Sequence, residues 1–299
     1  MKSESNQDTL GSILSYGWHL KKNGRAESTI QTVVTRLKRL TALCNINEPE
    51  EVKATLANLQ WQNITKHNVA LIYNAYLRFL GKTWTKPKYT IQSKLPFIPT
   101  EEEIDSLIAA GTTKTATLLQ LLKETGARIG EIDKLTWTDI DLKRKTIYIT
   151  AEKGSNSRIL PISNKLIAML ENLTKINESV FQTKKHGLRS TYEALRKRTI
   201  KKLSNPRLKK ITFHTFRHWK GTMEYHKTKD IIHVKTILGH KQIESTMTYI
   251  NIESAIYLST TDEWTCKTAT NTEEAKALIE VGFEYIAEKD NNMLFRKRK

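Results

Sequence analysis

Apolar positions recur at helical spacing through the first eighty residues. In STIQTVVTRLKRLTALC, Ile30, Val33, Val34, Leu37, Leu40 and Leu43 fall at i, i+3, i+4, i+7 steps, one buried stripe of a helix, with Ser28 or Thr29 placed to cap it. The same pattern predicts helices near residues 8–22, 49–59 and 65–80, the last built on Val69, Ile72, Tyr73, Tyr76, Leu77 and Leu80. Periodicity then stops. The stretch KTWTKPKYTIQSKLPFIP holds Pro87, Pro96 and Pro99 among scattered lysines, the composition of a linker. Residues 1–84 therefore read as a helical domain and 85–99 as its connection to a second one.

Thr100 opens that second domain, because Glu103 three residues later completes a capping box before an apolar-periodic run. A helix is predicted over about 113–125, and Ile129 to Trp137 continues as helix or turn. The pattern then switches to period two: Thr146–Ile149 and Arg158–Pro161 read as short strands around a polar Gly/Ser/Asn turn. Helices are expected from there to residue 258, so the second domain spans 100–258. In 259–299, WTCKTA, TEEAKALIE, FEYIAE and NMLFRKR suggest a small strand–helix–hairpin appendage with a basic end, read as a packing element. The fold class is mainly α with a small β-hairpin or three-stranded sheet.

Composition narrows the partners. The chain has 299 residues, 38% of them hydrophobic, enough for two cores, and lacks the long apolar run of a membrane span. Its start, MKSESNQDTLGSIL, does not read as a secretory signal. Cys44 and Cys266 have no metal-ligand partners nearby in sequence, so a reducing cytoplasmic setting is expected. The formal net charge of +18 favours a polyanion, since each phosphate neutralised by Lys or Arg releases condensed counterions; nucleic acid leads and an anionic membrane surface is the weaker alternative. Between Thr183 and Lys210 there are eleven Lys or Arg against the single acidic Glu193, which predicts a solvated, phosphate-facing surface carrying Lys184, Lys185, Lys201 and Lys202.

Four segments hold cationic or nucleophilic residues in specific order: TGARIGEIDKLTWTDID, AEKGSNSRILPI, FHTFRHWKG and ILGHKQIESTMTYI. In this order and spacing the sequence resembles the tyrosine recombinase (phage integrase, Xer-like) family, over about Leu95 to Ser254. The resemblance implies a two-domain, C-shaped DNA clamp, with residues 1–84 as the core-binding DNA-binding domain and 100–258 as the catalytic domain. It places the family's active-site residues on Arg128, Lys153, His214, Arg217, His240 and Tyr249. The hairpin turn Gly154-Ser155-Asn156-Ser157 is less basic than the family pattern.

The chemistry explains why these types must converge. In-line attack on a phosphodiester spreads negative charge over its oxygens, and the planar guanidiniums of Arg128 and Arg217 clamp two of them at once. A free tyrosine has a pKa of roughly 10, so Tyr249 needs nearby cations and an acceptor, the role the resemblance gives to His214. Lys153 would protonate the departing 5′ oxygen, and His240 would bond the scissile phosphate. Arg128 and Glu131 also fit an ordinary i, i+3 ion pair, with Glu131 orienting Arg128. His214 and His218 at i, i+4 fit a metal pair, but with no third ligand in view His218 reads as a packing or hydrogen-bonding residue and no metal is expected.

The resemblance implies site-specific cutting and rejoining of double-stranded DNA through a 3′-phosphotyrosyl bond. No cofactor is expected, four copies would act on two duplexes, and accessory DNA-bending proteins are possible partners at the nucleoid. The rival readings are a type IB topoisomerase-like relaxing enzyme, a non-catalytic DNA-binding relative and a metal-dependent nuclease.

Overall fold

The computed structural model describes residues 2–92, 94–152, 154–181, 185–257, 264–289 and 292–298. The chain divides into two compact units, Met1–Lys94 and Leu95–Lys299. In the first, four helices, α1 (Lys2–Lys22), α2 (Glu27–Thr41), α3 (Pro49–Asn58) and α4 (Asn63–Phe79), enclose a core of Ile13, Leu37, Leu40, Val52, Leu56, Val69, Tyr73 and Tyr76. The predicted α2 stripe is buried at Ile30, Leu37 and Leu40, but Leu43 lies beyond the helix end and is exposed. Its cap differs too: α2 begins at Glu27 with Ala26 at the N-cap, so Ser28 and Thr29 sit inside the first turn and cap nothing. Ala26 is the last non-helical residue, so the helix starts one residue before Ser28 and two before Thr29.

The second unit opens with α5 (Glu101–Ala109), on the reciprocal Thr100–Glu103 capping box, and α6 (Thr113–Thr125). Helix α6 is buried on most sides through Leu118, Leu119, Leu121 and Leu122, and α5 and the helices over residues 164–171, 185–203 and 213–228 pack against it. The short α7 (Ile129–Asp133) follows, then β1 (Ile140–Asp141), β2 (Thr146–Ile149) and β3 (Arg158–Pro161), antiparallel in that order, with Ile147 paired to Leu160 and Ile149 to Arg158. Inward Ile147, Ile149 and Leu160 join the core, while Tyr148 and Ile159 face out, the alternation that the period-two pattern requires.

Helices α8 (Asn164–Glu171), α9 (Lys185–Leu203), α10 (Phe213–Thr228), α11 (Ile231–Leu238) and α12 (Glu244–Tyr257) complete the region that carries the site. Beyond it, β4 (Trp264–Ala269), α13 (Thr272–Glu280), β5 (Glu284–Lys289) and β6 (Asn292–Arg298) form a second antiparallel sheet, ordered β4-β6-β5, over a small core of Ala269, Ala275, Phe283 and Phe295.

Candidate active site

Gly126 ends α6 in the left-handed conformation (φ 59°), which glycine adopts without a Cβ penalty, and turns the chain so that Arg128 opens α7. Glu131 reaches back and accepts the Arg128 backbone N–H at 2.9 Å, and Arg128 Nη1 donates to the same carboxylate at 3.3 Å. Two further donors come from the β2–β3 hairpin: Ser155 Oγ at 2.8 Å and Arg158 Nη2 at 2.9 Å. The pair is therefore no helix-surface bridge, because Glu131 is a buried hub joining the start of α7 to the β2–β3 hairpin. Burial alone would raise its pKa. The Arg158 hydrogen bond and charge, the Arg128 N–H and the Ser155 hydroxyl outweigh burial and hold the carboxyl down at about 2.

Arg217 projects from α10 and is 1% exposed. Its Nη1 donates to Gly126 O at 2.9 Å and its Nη2 to Leu238 O at 2.6 Å, carbonyls at the C-terminal ends of α6 and α11, where the helix dipoles leave negative partial charge. Burial, and next the charge of Arg128, lower its pKa to about 10, so it stays protonated at neutral pH.

Three imidazoles gather beside these cations. His214 and His218 lie one turn apart on α10 with rings edge-on, centroids 4.5 Å apart. His240 follows Gly239, whose left-handed φ of 68° ends α11. A Cβ at Gly239 would lie 2.6 Å from Asn156 O and 2.9 Å from Arg158 Nη1, so both conformation and space demand glycine. Asn156 N–H donates to Gly239 O at 2.9 Å, which fastens the hairpin turn to the His240 loop. Burial first, then Arg217 and other neighbouring cations, push His240 down to about 3; burial, then His214 and Arg217, push His218 to about 4. His214, more open at its surface, is also lowered by desolvation and by Arg217 and Arg128. The site holds neutral imidazoles and charged guanidiniums at pH 7.

Tyr249, on α12, stands 1% exposed in this group. Its hydroxyl lies 3.4 Å from His218 Nδ1, and its ring is parallel to that of His240 with centroids 6.4 Å apart. Burial raises the phenol to about 12 against the pull of Arg217 and Arg128. In the DNA-free protein the cations expected to help the tyrosine do pull its pKa down, but desolvation is the larger effect. The imidazole in hydrogen-bond reach of the phenol is His218, read from the sequence as a packing or hydrogen-bonding residue, and not His214, to which the resemblance gives the acceptor role.

The structure thus brings together Arg128, Glu131, His214, Arg217, His218, His240 and Tyr249. Lys153 and Lys184 lie outside the described residues, as does the side chain of Lys185, while Lys201 and Lys202 are exposed in the last turn of α9. The basic stretch is not wholly solvated, because Arg207 pairs with Glu103 at 2.8 Å and Arg196 donates to Ile211 O at 2.6 Å. A pocket of about 400 Å³ opens beside Arg128 and His214, lined also by Glu152, Arg189 and Arg196. Sequence reasoning missed Arg158, Ser155, Thr246 and Gly221. The signal for Gly221 stood inside FHTFRHWKG, as a glycine within a helix that otherwise has no reason to hold one.

A family model described as the phage integrase family matches residues 99–255, more than half of the chain and every one of the converging residues. The chain belongs to the phage integrase family. Among its relatives, a tyrosine recombinase of Thermosipho africanus is 29% identical over 195 residues, covering 59% of this integrase-family chain and 66% of that protein. The tyrosine recombinase XerA of Pyrococcus horikoshii is 24% identical over 264 residues, covering 83% and 90% respectively. Two solved structures share the fold: a lambda integrase dimer bound to a COC′ core site (TM-score 0.65, 15% identity, 80% of this chain and 76% of that one), and XerH bound to difH substrate (TM-score 0.55, 19% identity, 77% and 79%).

Proposed function

We propose that this chain, a site-specific DNA recombinase by its family, cuts and rejoins duplex DNA through a covalent bond between Tyr249 and a 3′ phosphate. The observation that carries this reading is the seating of the Tyr249 hydroxyl against His218 Nδ1 at 3.4 Å, beside His240 and in the field of Arg217 and Arg128. Arg128 and Arg217 take the non-bridging oxygens of the scissile phosphate, and His240 donates a further hydrogen bond. Tyr249 Oη attacks phosphorus, its proton passes to the His218–His214 pair, and the bond from phosphorus to the 5′ oxygen breaks. Lys153 supplies the proton that the leaving oxygen needs. A docked phosphate brings negative charge beside the imidazoles and raises their pKa values, which turns weak acceptors into competent ones when substrate is present.

The bond energy is kept in the phosphotyrosyl ester, so the 5′ hydroxyl of a second strand reverses the steps and no nucleotide cofactor enters. Residues 1–84 and 100–258 are read as the DNA-binding and catalytic domains around the 85–99 linker, with Lys184, Lys185, Lys201 and Lys202 on the duplex. Four copies on two duplexes, with accessory bending proteins, at the nucleoid in the cytoplasm, complete the reading. No helix among the described residues is long and apolar enough to cross a membrane.

Incubation with a nicked suicide duplex tests it. Protein joined to a 3′ end with a free 5′ hydroxyl opposite, formed in the presence of a chelator, is expected. Linkage to a 5′ end, or cleavage abolished by the chelator, would overturn it.

A further inference from the structure

Thr246 lies on α12 three residues before Tyr249, is completely buried, and places Oγ1 2.8 Å from His240 Nδ1. A hydroxyl carries one proton, and a neutral imidazole offers one N–H and one lone pair. Two arrangements satisfy the distance: Thr246 donates to Nδ1, leaving the ring proton on Nε2, or Nδ1–H donates to Thr246, leaving a lone pair at Nε2. The second arrangement orphans the threonine proton at a fully buried position, since among the described residues that hydroxyl has no other acceptor. The first satisfies the buried threonine proton and keeps Nε2–H as a donor for substrate.

We infer that Thr246 is a positioning residue that donates its hydroxyl proton to His240 Nδ1 and so fixes His240 as the Nε2–H tautomer, the form that offers a donor to an anionic phosphate oxygen. This rests on the proposed role of His240 at the scissile phosphate. The other tautomer would set a lone pair against the phosphate's negative oxygens. The bond also ties the phosphate-holding imidazole to the nucleophile's own helix, so that α12 carries both Tyr249 and the group that sets the ring of His240. Gly239 fixes where the imidazole's backbone enters, and Thr246 fixes which nitrogen faces the substrate.

Long-range proton–nitrogen NMR of the full chain with ¹⁵N-labelled histidine, at pH 7 without DNA, reads the tautomer directly, with His240 assigned by the signal lost in His240→Asn. The wild type is expected to show a protonated Nε2 and an unprotonated Nδ1. Thr246→Val, nearly the same shape without the hydroxyl, is expected to give a mixture of tautomers and to slow cleavage at saturating protein by about tenfold with less than a twofold change in DNA affinity. Thr246→Ser keeps the donor and should retain the wild-type tautomer. A wild-type His240 protonated on Nδ1 overturns the inference even if Thr246→Val does not fold. If His240→Asn cleaves normally, the phosphate role of His240 falls and this inference with it; if His240→Asn is slow while Thr246→Val keeps both tautomer and rate, the inference alone falls.

Discussion

The ring of Tyr249 fills the space that any side chain at residue 221 would need: a Cβ built on Gly221 lies 2.6 Å from Tyr249 Cζ and 2.7 Å from Cε2. Helix α10 carries a glycine where alanine would favour the helix by about 1 kcal/mol, and the reason is the phenol of α12. Gly221→Ala is therefore expected to lower stability by about 1–2 kcal/mol, because overpacking exceeds the helix-propensity gain, and to suppress covalent DNA attachment by displacing Tyr249. Urea melts and adduct assays check both. A more stable variant with full adduct yield would contradict the placement of the ring.

Arg217 and the α9 lysines should fail in different ways. Lysine cannot reach both Gly126 O and Leu238 O, nor form a fork on phosphate, so Arg217→Lys is expected to lose cleavage by orders of magnitude even when DNA is saturated. Lys201→Ala and Lys202→Ala remove exposed charges, so each should weaken DNA affinity and reduce the salt slope by about one, leaving cleavage at saturation unchanged. Equal defects in both classes at saturating protein would count against this division.

Glu131 makes acid stability a property of the active site. Its pKa lies at about 2 in the fold against an ordinary 4.5, so its contribution is fully present above pH 4.5 and is lost as pH falls toward 2. A shift of that size corresponds to about 3 kcal/mol. Glu131→Gln should be less stable than wild type by about that amount at pH 7, with the gap closing between pH 4.5 and 2, as measured by denaturant melts across pH. A gap that does not change with pH would remove the carboxylate from its place as the ionic hub.

What could be read in the sequence, and what could not, divides along physical lines. Periodicity reports burial of apolar faces, so the helices of both units, the Thr146–Ile149 and Arg158–Pro161 strands and the Thr100 capping box were legible. The family resemblance named Arg128, His214, Arg217, His240 and Tyr249, which converge in the fold, and Lys153, which lies outside the described residues. Arg158 and Ser155 were not legible: an arginine at a strand start and a serine in a polar turn read as solvent-facing, and only their common partner Glu131, more than twenty residues away, makes them interior. The role of His218 was hidden for the same reason, since the partner that distinguishes it from His214 lies on another helix. The direction of the tyrosine's pKa depended on burial, which a list of neighbouring cations does not contain.

The most direct test of the central claim is peptide mapping of the trapped protein–DNA adduct by mass spectrometry, run alongside Tyr249→Phe. The nucleotide is expected on the peptide containing Tyr249, and Tyr249→Phe, which leaves every cation in place, should form no adduct while binding DNA as the wild type does. A nucleotide on Tyr225 or Tyr257, or an adduct that survives in Tyr249→Phe, would contradict the account.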